Sequence, residues 1–401
     1  MSQSLLATVK RGALLVVAGL ALLLAVSLVP SGTPGVVASE STCQPPLPHA
    51  TGSFPDETIT TLDGLEREYR LTVPTSYDGG TATPLIFNFH GFTSDALSQD
   101  VYSQLPQTAE EEGFILVTPQ GTLNTDGLPF WNSSASPPPT VDDVAFVEQL
   151  LTSLQSQLCI DPARVFPTGL SNGGFMSSRL ACSLSDRIAA IAPVAGTAFY
   201  GSCDTRAVPV IAFHGTADTI VPLGPIETTA IPAWATHNSC GGPVLQDPVS
   251  PTAGVRLTRH GGCDDDATVE LYVIFDVDTV ATGDQGGGHT WPGSTLVLPP
   301  DFKALLGQTT LEISANDLMW DFFQAHPLAD APKPVNGPTP VNEPTPAGVG
   351  GIALDSDLRA LPLEATKPDN TPWGVAVGIV AAASLVAVGG AAWYARRRLT
   401  G

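Results

Sequence analysis

The chain has 401 residues, with 17 Lys and Arg against 39 Asp and Glu, a formal charge of −22. That acidity repels nucleic acid and anionic lipid headgroups and argues against a polyanion-binding role. The length suits one large domain plus extra segments, and the charged fraction of 14% is diluted by apolar runs near both ends.

In chain order, Lys10 and Arg11 precede 18 uncharged residues, 12–29, then Pro30-Ser31-Gly32 and a small-residue site at Val36-Val37-Ala38. This is the pattern of an export signal over 1–39, cleaved near Ala38, with an uncleaved anchor as the alternative. Residues 40–328 read as one globular unit. A strand is expected over 67–74, where Tyr69, Leu71 and Val73 alternate with polar neighbours. The near-continuous apolar run 84–89 suits a buried parallel strand ending at His90-Gly91-Phe92. A helix near 99–112 and a strand over 114–118 follow. After a loop carrying Trp131 and Asn132, Val144, Val147, Leu151, Leu154 and Leu158 mark one face of a helix. Thr140 is placed to cap it, with Asp142 and Asp143 in its first turn. Further strands are expected at the run before Gly169, over 188–194, 208–213 and 269–275, with helices over 175–184, 233–240 and 314–326. Alternating strands and helices imply a mostly parallel α/β sheet flanked by helices.

From 329 to 371 the composition shifts to Pro and Thr, and Pro334-Val335-Asn336-Gly337-Pro338-Thr339 is nearly repeated over 340–345. Such a stretch reads as an extended stalk. Residues 373–394 are 22 positions without charge, flanked by Trp373, Trp393 and Tyr394 and followed by Arg396-Arg397-Arg398. They predict a single membrane helix over 372–395, with a basic cytoplasmic tail over 396–401 and the domain outside. Six cysteines, all in the exported part, suggest three disulfides. The pairing expected from element positions is Cys43–Cys203, Cys159–Cys182 and Cys240–Cys263. No cysteine spacing suits a metal cluster.

Chemistry concentrates at Gly169-Leu170-Ser171-Asn172-Gly173, a Gly-x-Ser-x-Gly frame between an apolar run and a helix-compatible segment. A nucleophile elbow needs that order, since the serine sits in a sharp turn and projects above the sheet. A serine hydroxyl also needs a base and a carboxylate to orient it. Downstream, Asp218 follows a strand end, while Asp204 and Asp276 lack comparable placement. Among the later histidines (214, 237, 260, 289 and 326), His289 in the glycine-rich loop 286–293 is the favoured base, free to swing over the serine. His214 is expected to buttress the Asp218 turn. The amides of Asn172 and of Phe92 or Thr93 are candidate oxyanion donors. Trp131 and Trp291 are candidate walls for substrate, and His90, included with them, has a structural role as its main reading.

Together, Tyr69-Arg70-Leu71, His90-Gly91, Trp131-Asn132, Asp142-Asp143-Val144, Cys159-Ile160-Asp161-Pro162, the elbow, 214–222 and His289-Thr290-Trp291-Pro292-Gly293 resemble the polyhydroxybutyrate depolymerase-type esterases. That group also contains feruloyl and acetylxylan esterases, and Trp234, Asn238 and Cys240 are similar to its pattern. The resemblance, over about 43–326, implies an α/β-hydrolase fold with Ser171, Asp218 and His289 as the triad and no metal or organic cofactor. It leaves the substrate open; aromatic or acetyl esters on plant polysaccharide fragments are the favoured expectation, with hydroxyalkanoate oligomers as the alternative. An exported serine peptidase or a non-catalytic surface protein are the remaining readings.

Overall fold

A computed structural model describes residues 42–134, 141–201, 203, 206–246, 254–275, 287–329 and 331. The expected export signal, most of the stalk, the membrane helix and the basic tail lie outside the described residues. No helix among the described residues is long and apolar enough to cross a membrane.

In chain order the strands are β1 Gly52–Thr60, β2 Glu66–Val73, β3 Thr83–Phe89, β4 Ile115–Pro119, β5 Thr122–Leu123 and β6 Pro129–Phe130. They continue as β7 Ile160–Leu170, β8 Ala192–Val194, β9 Val210–Gly215, β10 Pro243–Gln246, β11 Val255–His260 and β12 Val269–Ile274. The helices are α1 Ala96–Ser103, α2 Leu105–Glu112, α3 Asp143–Gln157, α4 Asn172–Ser183, the single turn α5 Leu223–Pro225, α6 Ile231–His237, α7 Pro300–Leu306 and α8 Ala315–Ala325. Ten strands form one sheet in the order β1-β2-β4-β3-β7-β8-β9-β12-β11-β10. From β4 to β12 all neighbours run parallel, while β1, β2, β11 and β10 add antiparallel edges. The expected parallel sheet is therefore its centre, and the whole is mixed.

Helices cover both faces because the central strands are apolar on both. In β3, Leu85, Phe87 and Phe89 pack with Phe146, Leu150 and Met176 on one side, and Ile86 packs with Phe114 and Phe166 on the other. Stacking of Phe166 on Phe323, with ring centroids 4.3 Å apart, seats α8 on that second face.

Several local expectations change. The helix near 99–112 is two, because Gln104 takes a left-handed conformation (φ 57°) and Pro106 suits the first turn of a new helix. The cap of α3 is Asp142, which accepts from Ala145 N at 3.0 Å; Thr140 lies outside the described residues. The run 188–194 is strand only at its end. Arg206 Nη2 donates to the carbonyls of Ile188 and Ala189.

The disulfides join Cys43 to Cys159, Cys182 to Cys203 and Cys240 to Cys263. Only the last matches expectation. Cys43 N bonds Gly80 O and Thr83 N bonds Cys159 O, so the first two cysteines meet beside the entry to β3.

Candidate active site

Ser171 is the single residue between β7 and α4. Its φ of 55° and ψ of −116° lie outside the regions favoured by residues with a β-carbon, at a cost of about 1–3 kcal/mol. The surroundings enforce it. Ser171 N donates to Val194 O at 2.8 Å, and Phe175 N donates to Ser171 O at 3.0 Å. A β-carbon on Gly173 would lie 2.1 Å from Phe89 O, so glycine is what lets α4 approach β3 this closely.

Asp218 follows β9 by three residues and is buried. Its Oδ1 accepts from Ile220 N at 3.0 Å and Val221 N at 2.8 Å, which fixes the carboxylate plane. Its Oδ2 lies 2.7 Å from His289 Nδ1. With the proton on Nδ1, His289 presents Nε2 as a lone-pair acceptor. His214 supports the same turn. Its Nε2 is 3.5 Å from Asp218 Oδ2 but donates to Val221 O at 2.7 Å. Burial pushes the His214 pKa down, which favours the neutral ring.

The described part of the loop holding His289, from Gly287 onward, is pinned by backbone bonds. Ala217 N donates to Gly287 O at 2.8 Å and His289 N to Leu306 O at 2.6 Å. A β-carbon on Gly215 would come within 1.9 Å of Gly287 O, so glycine there permits close contact of the two loops. The ring is buried at 4% exposure.

Parallel pairing explains how distant residues share one rim. Leu170 aligns with Val194, Val194 with Phe213, and Gly215 with Ile274, so the segments after β7, β9 and β12 leave the same sheet edge. His260 ends β11, which runs antiparallel to β12 and pairs His260 with Val269 at the opposite edge. His326 is held by Phe322 O and Thr268. The His289 ring bonds Asp218, and among the described residues no hydrogen bond joins it to the Ser171 hydroxyl. Such contacts commonly tighten only when substrate binds.

The loop after β3 passes beside Ser171, since a β-carbon on Gly91 would lie 3.6 Å from that of Ser171. Thr93 N is taken by Pro129 O at 2.8 Å, whereas Phe92 N has no partner among the described residues. Asn172 N, at the first position of α4, belongs to the amides that a helix leaves unsatisfied. The Phe92 side chain is 43% exposed.

The three residues expected to touch substrate lie beneath the rim. His90 is fully buried, with Nδ1 on Gly91 O at 2.8 Å and Nε2 accepting from Gly121 N at 2.9 Å. Trp131 packs edge-on against Phe89 and donates its indole N–H to His90 O at 3.0 Å. Trp291 is fully buried and bonds Asn316 Oδ1 at 2.8 Å. All three are scaffold, because each large ring fills space between elements and each polar tip is satisfied internally. Sequence reasoning missed the Arg67–Asp143 pair. Asp143 Oδ1 accepts from Arg67 Nη2 at 2.8 Å and Oδ2 from Asn132 N at 2.7 Å, with the guanidinium 3.8 Å over the Phe146 ring. The signal available was a charged pair, Asp142-Asp143, at a helix start where one capping acid suffices.

A parallel-centred mixed sheet flanked by helices, with a strained serine after β7 and an aspartate–histidine pair from the loops after β9 and β12, fits the α/β-hydrolase fold. No family model matches the chain. Among known proteins, the chain is similar to feruloyl esterase B of Piromyces equi, with 33% identity over 162 residues, 39% of this chain and 30% of that protein. It is also similar to feruloyl esterase D of Neurospora crassa, with 31% identity over 178 residues, 41% of this chain and 58% of that protein. The chain thus spans less than two thirds of either relative's length. A solved acetyl xylan esterase from Aspergillus awamori is similar with a TM-score of 0.44 and 16% identity, over 55% of this chain and 92% of that one. The resemblance to the esterase group noted from the motifs holds in these relatives.

Proposed function

We propose that this chain is a carboxylic ester hydrolase that works through an acyl-enzyme on Ser171. The observation carrying the reading is the 2.7 Å bond between buried Asp218 and His289, at the sheet edge where Ser171 is held in its strained turn. His289 Nε2 takes the Ser171 proton as Oγ bonds to the ester carbonyl carbon. Asp218 holds the ring and stabilises the imidazolium. The amides of Phe92 and Asn172 receive the oxyanion. The alkoxy group leaves with the proton from His289. Water, deprotonated by the same nitrogen, then attacks the acyl carbon, and the carboxylic acid departs as Ser171 is reprotonated.

The preferred substrates are feruloyl or acetyl esters on polysaccharide fragments, in line with the relatives named feruloyl esterase. Hydroxyalkanoate oligomers are the second reading, kept by the motif resemblance. The sequence pattern at 1–39 and 372–395 supports an exported domain tethered to the cell surface through the stalk at 329–371. The test is labelling by a fluorophosphonate probe, with hydrolysis of methyl ferulate, acetylated xylan and hydroxybutyrate trimer. Labelling lost in Ser171→Ala, and turnover of an ester, are expected. A folded wild-type chain that neither labels nor turns over any of them would refute the proposal.

A further inference from the structure

The side chain of Asn172 does work separate from its amide. Its Oδ1 accepts from Trp131 N at 2.7 Å, and its Nδ2 donates to Trp131 O at 3.0 Å. This reciprocal pair straps the first residue of α4 to the backbone of residue 131. Trp131 in turn sends its indole N–H to His90 O at 3.0 Å, two residues before Phe92. One residue, 1% exposed, therefore touches both loops whose amides face the reacting carbonyl.

Trp131 is itself braced. The next amide, Asn132 N, donates to Asp143 Oδ2 at 2.7 Å, and Arg67 bonds the other oxygen of that carboxylate. Thr93 N donates to Pro129 O at 2.8 Å, so the 90–93 loop and the 129–132 segment are joined a second time. His90 closes the ring by accepting from Gly121 N at 2.9 Å. α4 and β3 also pack directly through Gly173, independently of the Asn172–Trp131 bonds. The buried polar groups sit where they fix the spacing of two backbone donors.

The geometry points to the Asn172 carboxamide and the Trp131 indole as positioning residues, one strap that holds the Phe92 and Asn172 amides at the separation an ester oxyanion needs. This rests on the esterase reading above. A donor that is present but misplaced loses much of its value, because preorganisation in a water-poor site is what makes a fixed dipole effective. The strap acts only on the charged oxygen. It is accordingly expected to change binding of the tetrahedral state and leave ground-state binding almost untouched.

The test uses Asn172→Ala, which removes both strap bonds, and Trp131→Phe, which keeps an aromatic ring but removes the indole donor together with part of the buried ring volume. Steady-state hydrolysis of 4-nitrophenyl acetate is measured together with inhibition by an aryl trifluoromethyl ketone, which forms an anionic adduct on the serine, and by acetate. Folding is checked by thermal melting. Each variant should lower kcat roughly ten- to hundredfold with KM changed by less than about threefold. Ketone affinity should fall in proportion to kcat, while acetate inhibition stays constant. The double variant should lose no more than about threefold beyond the worse single, because both substitutions cut one strap. Wild-type kcat in the folded Asn172→Ala chain, or lost kcat with ketone affinity retained, would overturn the strap and leave the esterase reading standing. Failure of the wild-type chain to hydrolyse or label would overturn both.

Discussion

Asp218→Asn isolates the electrostatic and tautomeric role of the carboxylate without changing its shape. Asp218 Oδ1 accepts two backbone amides, and Oδ2 faces His289 Nδ1 at 2.7 Å. An asparagine must point its NH2 group at one of those two places. Turned toward Ile220 and Val221, it would oppose two donors with a third. Turned toward His289, it opposes one, and that ring can answer by moving its proton to Nε2. The second orientation is therefore favoured, and it leaves the base nitrogen protonated and unable to take the serine proton. Loss of the correct tautomer in a serine triad lowers kcat about ten-thousandfold, or about 5 kcal/mol of barrier. The assay is kcat for 4-nitrophenyl acetate at constant pH, with thermal melting to show that the turn survives. A folded Asp218→Asn chain within about tenfold of wild-type kcat would refute the assigned role of the pair.

Two further outcomes follow from buried charge. Burial pushes the Asp143 carboxyl above its ordinary value of 3.8, opposed by the adjacent Arg67 guanidinium, so Arg67→Met strands a buried carboxylate. Urea denaturation at neutral pH should show a loss of about 3–5 kcal/mol. Because the folded chain then holds that proton more tightly than the unfolded one, the variant's stability should fall as pH rises from about 4 through its raised folded pKa. A loss under about 1 kcal/mol would show the pair to be dispensable. Burial also pushes His90 down from 6.5 to about 4. The unfolded chain binds that proton first, so its contribution is fully present above pH 6.5 and is lost as pH falls toward 4. The contribution is on the order of 3 kcal/mol. Comparing unfolding free energies at pH 7.5 and 4.5, His90→Gln should flatten this dependence, and an unchanged slope would exclude His90 as its source.

Local rules read much of the site because they concern short stretches. The elbow was legible since strand, sharp turn and helix are each written in consecutive residues around Ser171. Asp218 was a candidate because a strand end places the next few residues at the parallel sheet's edge, and His289 because it stands in a glycine-rich loop after a late strand. The antiparallel strands were less so. β11 carries a period-two signal, Val255 and Leu257 inside with Arg256 and Thr258 less buried, but it is short. β1 is rich in polar residues and β10 is only four long, which leaves little apolar pattern to read.

The amino-acid sequence alone offered the central strands and most helices in order, the serine elbow frame and the acid and base candidates, since these follow from local sterics and apolar periodicity. Only the tertiary structure decided that Cys159 meets Cys43, that Trp131 and Trp291 are scaffold, and that the Asn172 side chain ties two loops together. Those facts depend on which surfaces meet across 40 or more positions of chain, as with Trp131 and Asn172. A residue's type permits burial or bonding, but the partner is chosen by packing of the whole sheet.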